Sequence, residues 1–229
     1  IGTTTWGTTL GIILARKGIQ VSILCRTDQE AQELSRRREH SRFLPGVTIP
    51  DSICFSHDPD FLKDYSSLVI LAVPSDRFRN NVQHIKKNLR TGSLILSVTK
   101  GLELPDGKRM SQILHEELPL ELHPGICSLS GPNLAKEIVN DKPASTVVAG
   151  LNETSATLIQ DILISPTFRV YTSTDLVGLE LCGTLKNILA IGVGISDGLN
   201  LGDNGKSTLI TRGLSEICRL GVAAGAEAT

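Results

Sequence analysis

Ile1-Gly2-Thr3-Thr4-Thr5-Trp6-Gly7, then a helical pattern over 8–17 and Gly18-Ile19-Gln20-Val21-Ser22-Ile23-Leu24-Cys25, is the stretch that decides the fold. Leu10, Ile13 and Leu14 fall on one stripe of the helix, and the next eight residues alternate and β-branch like a strand. A glycine turn, a helix and a second strand make the first βα unit of a nucleotide-binding sheet. Gly2 and Gly7 hold the outer positions of a GxGxxG spacing, and Thr4 takes the middle one. The middle glycine ordinarily lets backbone approach a pyrophosphate, so a Cβ at Thr4 is expected to crowd it. The threonine hydroxyls are expected to compensate by donating to phosphate oxygens at the helix N-terminus.

Working outward, the second strand closes on Cys25-Arg26-Thr27, with no acid before Asp28. An acid there would hold a ribose 2′-hydroxyl and an arginine can accommodate a 2′-phosphate, so Arg26 leans the site toward NADP or toward tolerance of both forms. A helix is expected from Asp28 to about Glu39, and a loop at Arg42–Pro50. Ser67–Ser75 and Ser93–Val98 are continuous apolar runs, as parallel strands buried on both faces require, with a helix between them over 76–89. Lys100 stands at the carboxyl end of the second run, where open α/β sheets bind ligands. Ile126–Ser130 ends in Gly131-Pro132-Asn133, a turn that lets backbone approach a ligand. Ala144–Ala149, a helix from about Glu153 and Phe168–Thr172 complete the sheet. The fold class expected is α/β, a Rossmann-like, doubly wound, mostly parallel sheet over 1–173, followed by an all-α second domain over 174–229.

Bulk properties bound the function. A formal net charge of −1 over 229 residues leaves no basic footprint for nucleic acid, and Arg36-Arg37-Arg38 before Glu39 reads as a solvated helix face. The five cysteines lie far apart, without CxxC spacing, which favours buried free thiols in a reducing, cytoplasmic compartment. No apolar run is expected to span a bilayer, and no signal-peptide pattern is read. Both ends read as cut. Position 1 is Ile, the turn begins where a strand should already have preceded it, and the chain stops without a closing element, so the first strand is expected to be clipped and the second domain incomplete.

Glu180-Leu-Cys-Gly-Thr-Leu-Lys186-Asn187-Ile-Leu-Ala-Ile-Gly-Val-Gly-Ile195 reads as a helix packed on all sides with one ammonium in its middle. An unpaired buried cation is costly, so such a lysine is paired, partly neutralised, or snorkels to water. A lysine of lowered pKa is what proton transfer near neutral pH needs. Arg212, on the last helix expected over 207–220, falls off that helix's apolar stripe and reads as surface or inter-helix pairing.

Gly2-Thr-Thr-Thr-Trp-Gly7, Phe43-Leu-Pro-Gly46, Ala72-Val-Pro-Ser75, Lys100-Gly-Leu-Glu103, Ser130-Gly-Pro-Asn133, Val170-Tyr-Thr-Ser173, Glu180-Leu-Cys-Gly-Thr-Leu-Lys-Asn187 and Gly202-Asp-Asn204 with Ile210-Thr-Arg-Gly213 occur in this order. Together they closely resemble the soluble, bacterial-type NAD(P)-dependent sn-glycerol-3-phosphate dehydrogenases. The resemblance implies reversible reduction of dihydroxyacetone phosphate by NAD(P)H to sn-glycerol 3-phosphate, a phospholipid precursor, with a helical second domain like that of 6-phosphogluconate dehydrogenase. By matching position it implies Thr5 and Trp6 along the cofactor at the first turn, Arg26 near its ribose and Ala135 touching it. Lys100 would meet both cofactor and substrate, Gly131 and Asn133 would bind substrate, and Lys186 would be the catalytic acid/base and a substrate contact. Lys100 and Lys186 would each depress the other's pKa. The family's Gly-Asp-Leu and Arg-Asn motifs would fall beyond Thr229, so this stretch alone is expected to turn over weakly or not at all. No metal is implied, and a homodimer is plausible for helical second domains. Two rivals stay open: a 3-hydroxyacid or 6-phosphogluconate type of dehydrogenase, which also uses a helical lysine, and a non-catalytic NAD(P)-sensing module, favoured by Thr4.

Overall fold

The computed structural model describes residues 1–65 and 67–227, Tyr65 by its backbone alone. In chain order the elements are α1 (Thr5–Arg16), β1 (Val21–Leu24), α2 (Asp28–Arg37), β2 (Glu39–His40), β3 (Leu44–Thr48), β4 (Ile53–Ser56), α3 (Leu62–Tyr65), β5 (Leu68–Leu71), α4 (Phe78–Ile85), β6 (Leu94–Ser97), β7 (Leu102–Glu103), β8 (Lys108–Arg109) and α5 (Met110–Glu117). Then come β9 (Ile126–Ser130), α6 (Ala135–Val139), β10 (Ala144–Gly150), α7 (Glu153–Leu163), β11 (Phe168–Ser173), α8 (Leu176–Gly198) and α9 (Gly202–Ala223).

Five strands lie in the order β11-β10-β9-β6-β5, and β1 pairs with β4 beside them. Ile1 and Gly2 stitch the two groups into one surface. The Ile1 α-amino group donates to Ile70 O at 2.6 Å, Ala72 N to Ile1 O at 2.9 Å, and Gly2 N to Leu24 O at 3.1 Å. Every pairing in the two groups is parallel except β9 with β10. Strand residues alternate between two cores. On one face Val69, Leu71 and Ile95 pack with Phe78, Val82 and Ile85 of α4 and Ile113 and Leu114 of α5. On the other, Leu96, Val98 and Val148 pack with Leu10 and Leu14 of α1 and Ile159 and Leu163 of α7. Burial on both faces is why β5 and β6 read as unbroken apolar runs. The fold is the expected Rossmann-like, doubly wound sheet followed by helices.

The short strands β2, β3 and β4 and the helix α5 have no counterpart in the sequence reading. β2 begins where the expected helix was to end and β3 occupies part of the expected loop, because Arg38 turns left-handed at φ 51° and reverses the chain into a two-stranded ribbon. α5 was hidden because its four buried residues, Met110, Ser111, Ile113 and Leu114, give too short a stripe to carry a period.

α8 and α9 form a helical hairpin. Lys206 Nζ meets Asp197 Oδ1 at 2.5 Å, and small residues set the approach: a Cβ on Gly213 would fall against Leu189. α8 is not packed on all sides as expected. Ile188, Ile191 and Ile195 are 62%, 65% and 58% exposed among the described residues. By length and composition α8 could also cross a membrane, contrary to the sequence expectation, because Gly, Ala and Thr do not offset its aliphatic content. Its first half is instead tied to the sheet by a buried carboxylate described below. Of the cysteines, all free, Cys25 and Cys127 are buried while Cys54, Cys182 and Cys218 are exposed.

Candidate active site

Both outer glycines of the first turn are required by geometry. Gly2 has φ +97°, and a Cβ there would lie 2.6 Å from Ala72 O; one on Gly7 would lie 2.6 Å from Gly2 O. Thr4 caps α1, its Oγ1 accepting from Gly7 N at 3.2 Å and donating to Ala72 O at 2.8 Å. Thr3 Oγ1 donates to Glu30 Oε1 at 2.6 Å and Thr5 Oγ1 to Phe43 O at 3.1 Å. The three hydroxyl protons therefore go to protein acceptors and not, as expected, toward a ligand. Protein oxygens already stand within reach, and a capped helix satisfies its own orphan amide first. The amides of Thr5 and Trp6 make no hydrogen bond among the described residues.

The turn opens on a cleft of about 280 Å³ lined by Thr4, Trp6, Ala72, Val73, Pro74, Val98, Thr99, Lys100 and Asn133. It lies at the carboxyl ends of β5 and β6, where an open parallel sheet receives ligands. Thr99 Oγ1 holds the loop after β6 to Val73 O at 2.7 Å.

Two lysines converge there. Lys186 Nζ donates to Gly131 O at 2.5 Å, and Lys100 Nζ donates to the same oxygen at 3.3 Å. Gly131 has to be glycine, since a Cβ would sit 2.8 Å from Ser145 O and 2.9 Å from Asn133 Oδ1. Asn133 N also donates to Gly131 O, at 3.0 Å. The Asn133 side chain is spanned between Ser145 O and Thr146 Oγ1. Burial, and then the Lys186 charge, bring the Lys100 ammonium down to about 8.

The remaining candidates lie apart from this pair. Arg26 is exposed past the end of β1, and its backbone N–H donates to Glu30 Oε2 at 3.0 Å. Ala135 opens α6 and packs toward the core residues around Ile12, Ile23 and Cys25.

Sequence reasoning gave no role to the groups that hold the lysines in place. Glu180, with its side chain 8% exposed, pairs with Arg109 at 2.8 Å. Its carboxylate also accepts from Ser111 N at 2.8 Å, Ser111 Oγ at 2.5 Å and Ser128 Oγ at 2.9 Å. One acid thus ties α8 to the start of α5 and to β9. The signal was present, an acid among the apolar residues of the first half of α8, but its partners are far away in sequence. Gly183 lets α8 touch β9: a Cβ there would fall against Ser130 Oγ. Thr184 Oγ1 accepts from Gly101 N at 3.2 Å, which joins α8 to the loop carrying Lys100. Past that loop, Glu103 is gripped by Arg79 through Nε at 2.8 Å and Nη2 at 2.6 Å.

A dinucleotide fits this donor set. The outer glycines leave a concave backbone turn, two first-turn amides are unspent, and the helix N-terminus favours an anion. A pair of lysine amines beside such a cleft is able to supply a proton and to stabilise negative charge.

The family described as NAD-dependent glycerol-3-phosphate dehydrogenase, N-terminus, matches residues 1–156, and its C-terminus matches 175–229. A glycerol-3-phosphate dehydrogenase [NAD(P)+] of Dehalococcoides mccartyi is 47% identical over 99% of this chain, which spans 63% of that relative's length. One from Chlorobium limicola is 40% identical over 99% of this chain and 68% of its own. The crystal structure of glycerol-3-phosphate dehydrogenase from Coxiella burnetii superposes with a TM-score of 0.88 at 33% identity, covering 99% of this chain and 68% of that one. The turn, the cleft and the paired lysines are thus those of a chain that belongs to the NAD-dependent glycerol-3-phosphate dehydrogenase family.

Proposed function

We propose that the protein reversibly reduces dihydroxyacetone phosphate to sn-glycerol 3-phosphate, supplying glycerophospholipid synthesis, and that Lys186 is its proton donor. The observation that carries this reading is the meeting of Lys186 and Lys100 on Gly131 O, beside the cleft lined by Thr4 and Trp6. Bound NAD(P)H supplies the hydride. Lys186, as an ammonium, gives its proton to the carbonyl oxygen of the substrate; in the reverse direction its free amine takes the hydroxyl proton. Lys100 stabilises negative charge on the substrate and reaches the cofactor, while Gly131 and Asn133 fix the backbone against which the substrate lies. Gly2, Thr4, Thr5, Trp6 and Gly7 form the cofactor turn, Arg26 lies near the cofactor's ribose and Ala135 touches the cofactor. Residues 1–173 serve as the dinucleotide domain and 174–229 as the beginning of the substrate domain. A cytoplasmic homodimer is the assembly in keeping with this reading.

The test is oxidation of NADPH and NADH by the protein with dihydroxyacetone phosphate, set against 3-hydroxyacid and 6-phosphogluconate substrates in the reverse direction. Turnover with the triose phosphate supports the reading. In a protein of the relatives' full length, dinucleotide binding without turnover on any of these, unchanged by Lys186→Ala, would establish the sensing module instead.

A further inference from the structure

The middle position of the first turn is where backbone must come closest to a dinucleotide's pyrophosphate, and here it carries a β-branched side chain. Thr4 cannot swing aside. Its hydroxyl is fixed from two directions, donating to Ala72 O at 2.8 Å and accepting from Gly7 N at 3.2 Å, and a β-branched χ1 has few alternatives. With the oxygen turned inward to the cap, the rest of the side chain stands on the cleft wall, which Thr4 lines. The flanking threonines bring no phosphate donors in exchange, since Thr3 is spent on Glu30 and Thr5 on Phe43 O. Phosphate binding at this turn is therefore left to backbone amides, those of Thr5 and Trp6 among them, with a fixed Cβ and methyl beside them.

We propose that Thr4 sets the dinucleotide affinity of this protein: its side chain holds the pyrophosphate off the Thr5 and Trp6 amides, so NADPH and NADH both bind more weakly than they would over glycine. The inference rests on the cleft being the NAD(P)H site. Because the pyrophosphate is common to both cofactors, the effect has to be the same for the two, unlike that of a residue at the ribose.

Calorimetric titration of the full 229-residue chain with NADPH and with NADH tests it. Thr4→Gly is expected to tighten both by about tenfold, the scale of one recovered hydrogen bond to a charged oxygen. Thr4→Ala, which removes Oγ1 and the methyl but keeps a Cβ at the extended N-cap position, is expected to tighten both by about threefold and serves should the glycine variant fail to fold. A folded variant of either kind whose dissociation constants are unchanged or weaker overturns the proposal while leaving the cofactor site intact. Tightening for one cofactor alone overturns it too, since it would place the effect at the ribose. No binding by wild type or variants removes the cofactor reading, and the proposal with it.

Discussion

Lys186 and Lys100, from a helix and a loop 86 positions apart in sequence, donate to one backbone oxygen, Gly131 O, at 2.5 Å and 3.3 Å. Two ammonium groups meet only where something offsets their repulsion. Here the offset is a carbonyl with no alternative position, because its own residue has no room for a Cβ. Burial, and then the positive charge beside it, lower the pKa of Lys100.

In a protein of the relatives' full length, Lys186→Ala is expected to reduce turnover with dihydroxyacetone phosphate by about a thousandfold, the range of a lost general acid, with the NADPH dissociation constant within about twofold of wild type. Rates measured at saturating cofactor check the first expectation and calorimetry the second. A variant retaining more than a tenth of the rate would remove Lys186 from the chemistry.

The low Lys100 pKa has a stability consequence whose sign is fixed. The folded state gives up this proton near pH 8, whereas the unfolded chain keeps it to about 10.5. Between those values the unfolded state binds more protons, so stability from this group rises with pH. Lys100→Met removes the term. Relative to wild type, the variant's melting temperature should be highest at pH 7 and should lose that advantage by pH 10.5; a gap independent of pH would contradict the assignment.

Glu180 is expected to be costly to remove. Glu180→Ala leaves Arg109, 17% exposed, without its carboxylate and deprives Ser111 and Ser128 of their acceptor. Breaking a buried pair from one side costs about 3–5 kcal/mol, measurable as a lower urea midpoint. Glu180→Gln, which keeps acceptor oxygen and shape, should lose clearly less.

Gly183→Ala should push α8 away from β9, at a cost of about 1–3 kcal/mol for an overpacked contact, because the new methyl would land on Ser130 Oγ. Ser130→Ala in the same chain should recover part of that loss. Chemical denaturation of both single variants and the double variant gives the coupling; strict additivity would show that the two positions do not touch.

Much of the molecule was legible in the sequence because its determinants are local. The runs at β5 and β6 could only be strands buried on both faces, and Gly2 and Gly7 mark a turn whose backbone leaves no room for a Cβ. Lys186, a lone cation in an apolar helix, pointed to itself. What stayed hidden depends on partners distant in sequence. Nothing near Glu180 names Arg109 or Ser128, and nothing in Thr3-Thr4-Thr5 says that Glu30, Ala72 and Phe43 would claim the hydroxyls before any phosphate could. The exposure of Ile188, Ile191 and Ile195 was equally invisible, since composition records how apolar a helix is and not what lies against it.

Sequence alone therefore determined the layer order and the turn and singled out the lone lysine of α8, because each follows from a residue's own backbone freedom, periodicity or charge. The tertiary structure decided which oxygen the two lysines share, which acid anchors their helix and where the threonine protons go. Those are matters of a few ångströms between segments far apart along the chain, and hydrogen bonding is sharp enough in distance that only the folded arrangement can select the partner.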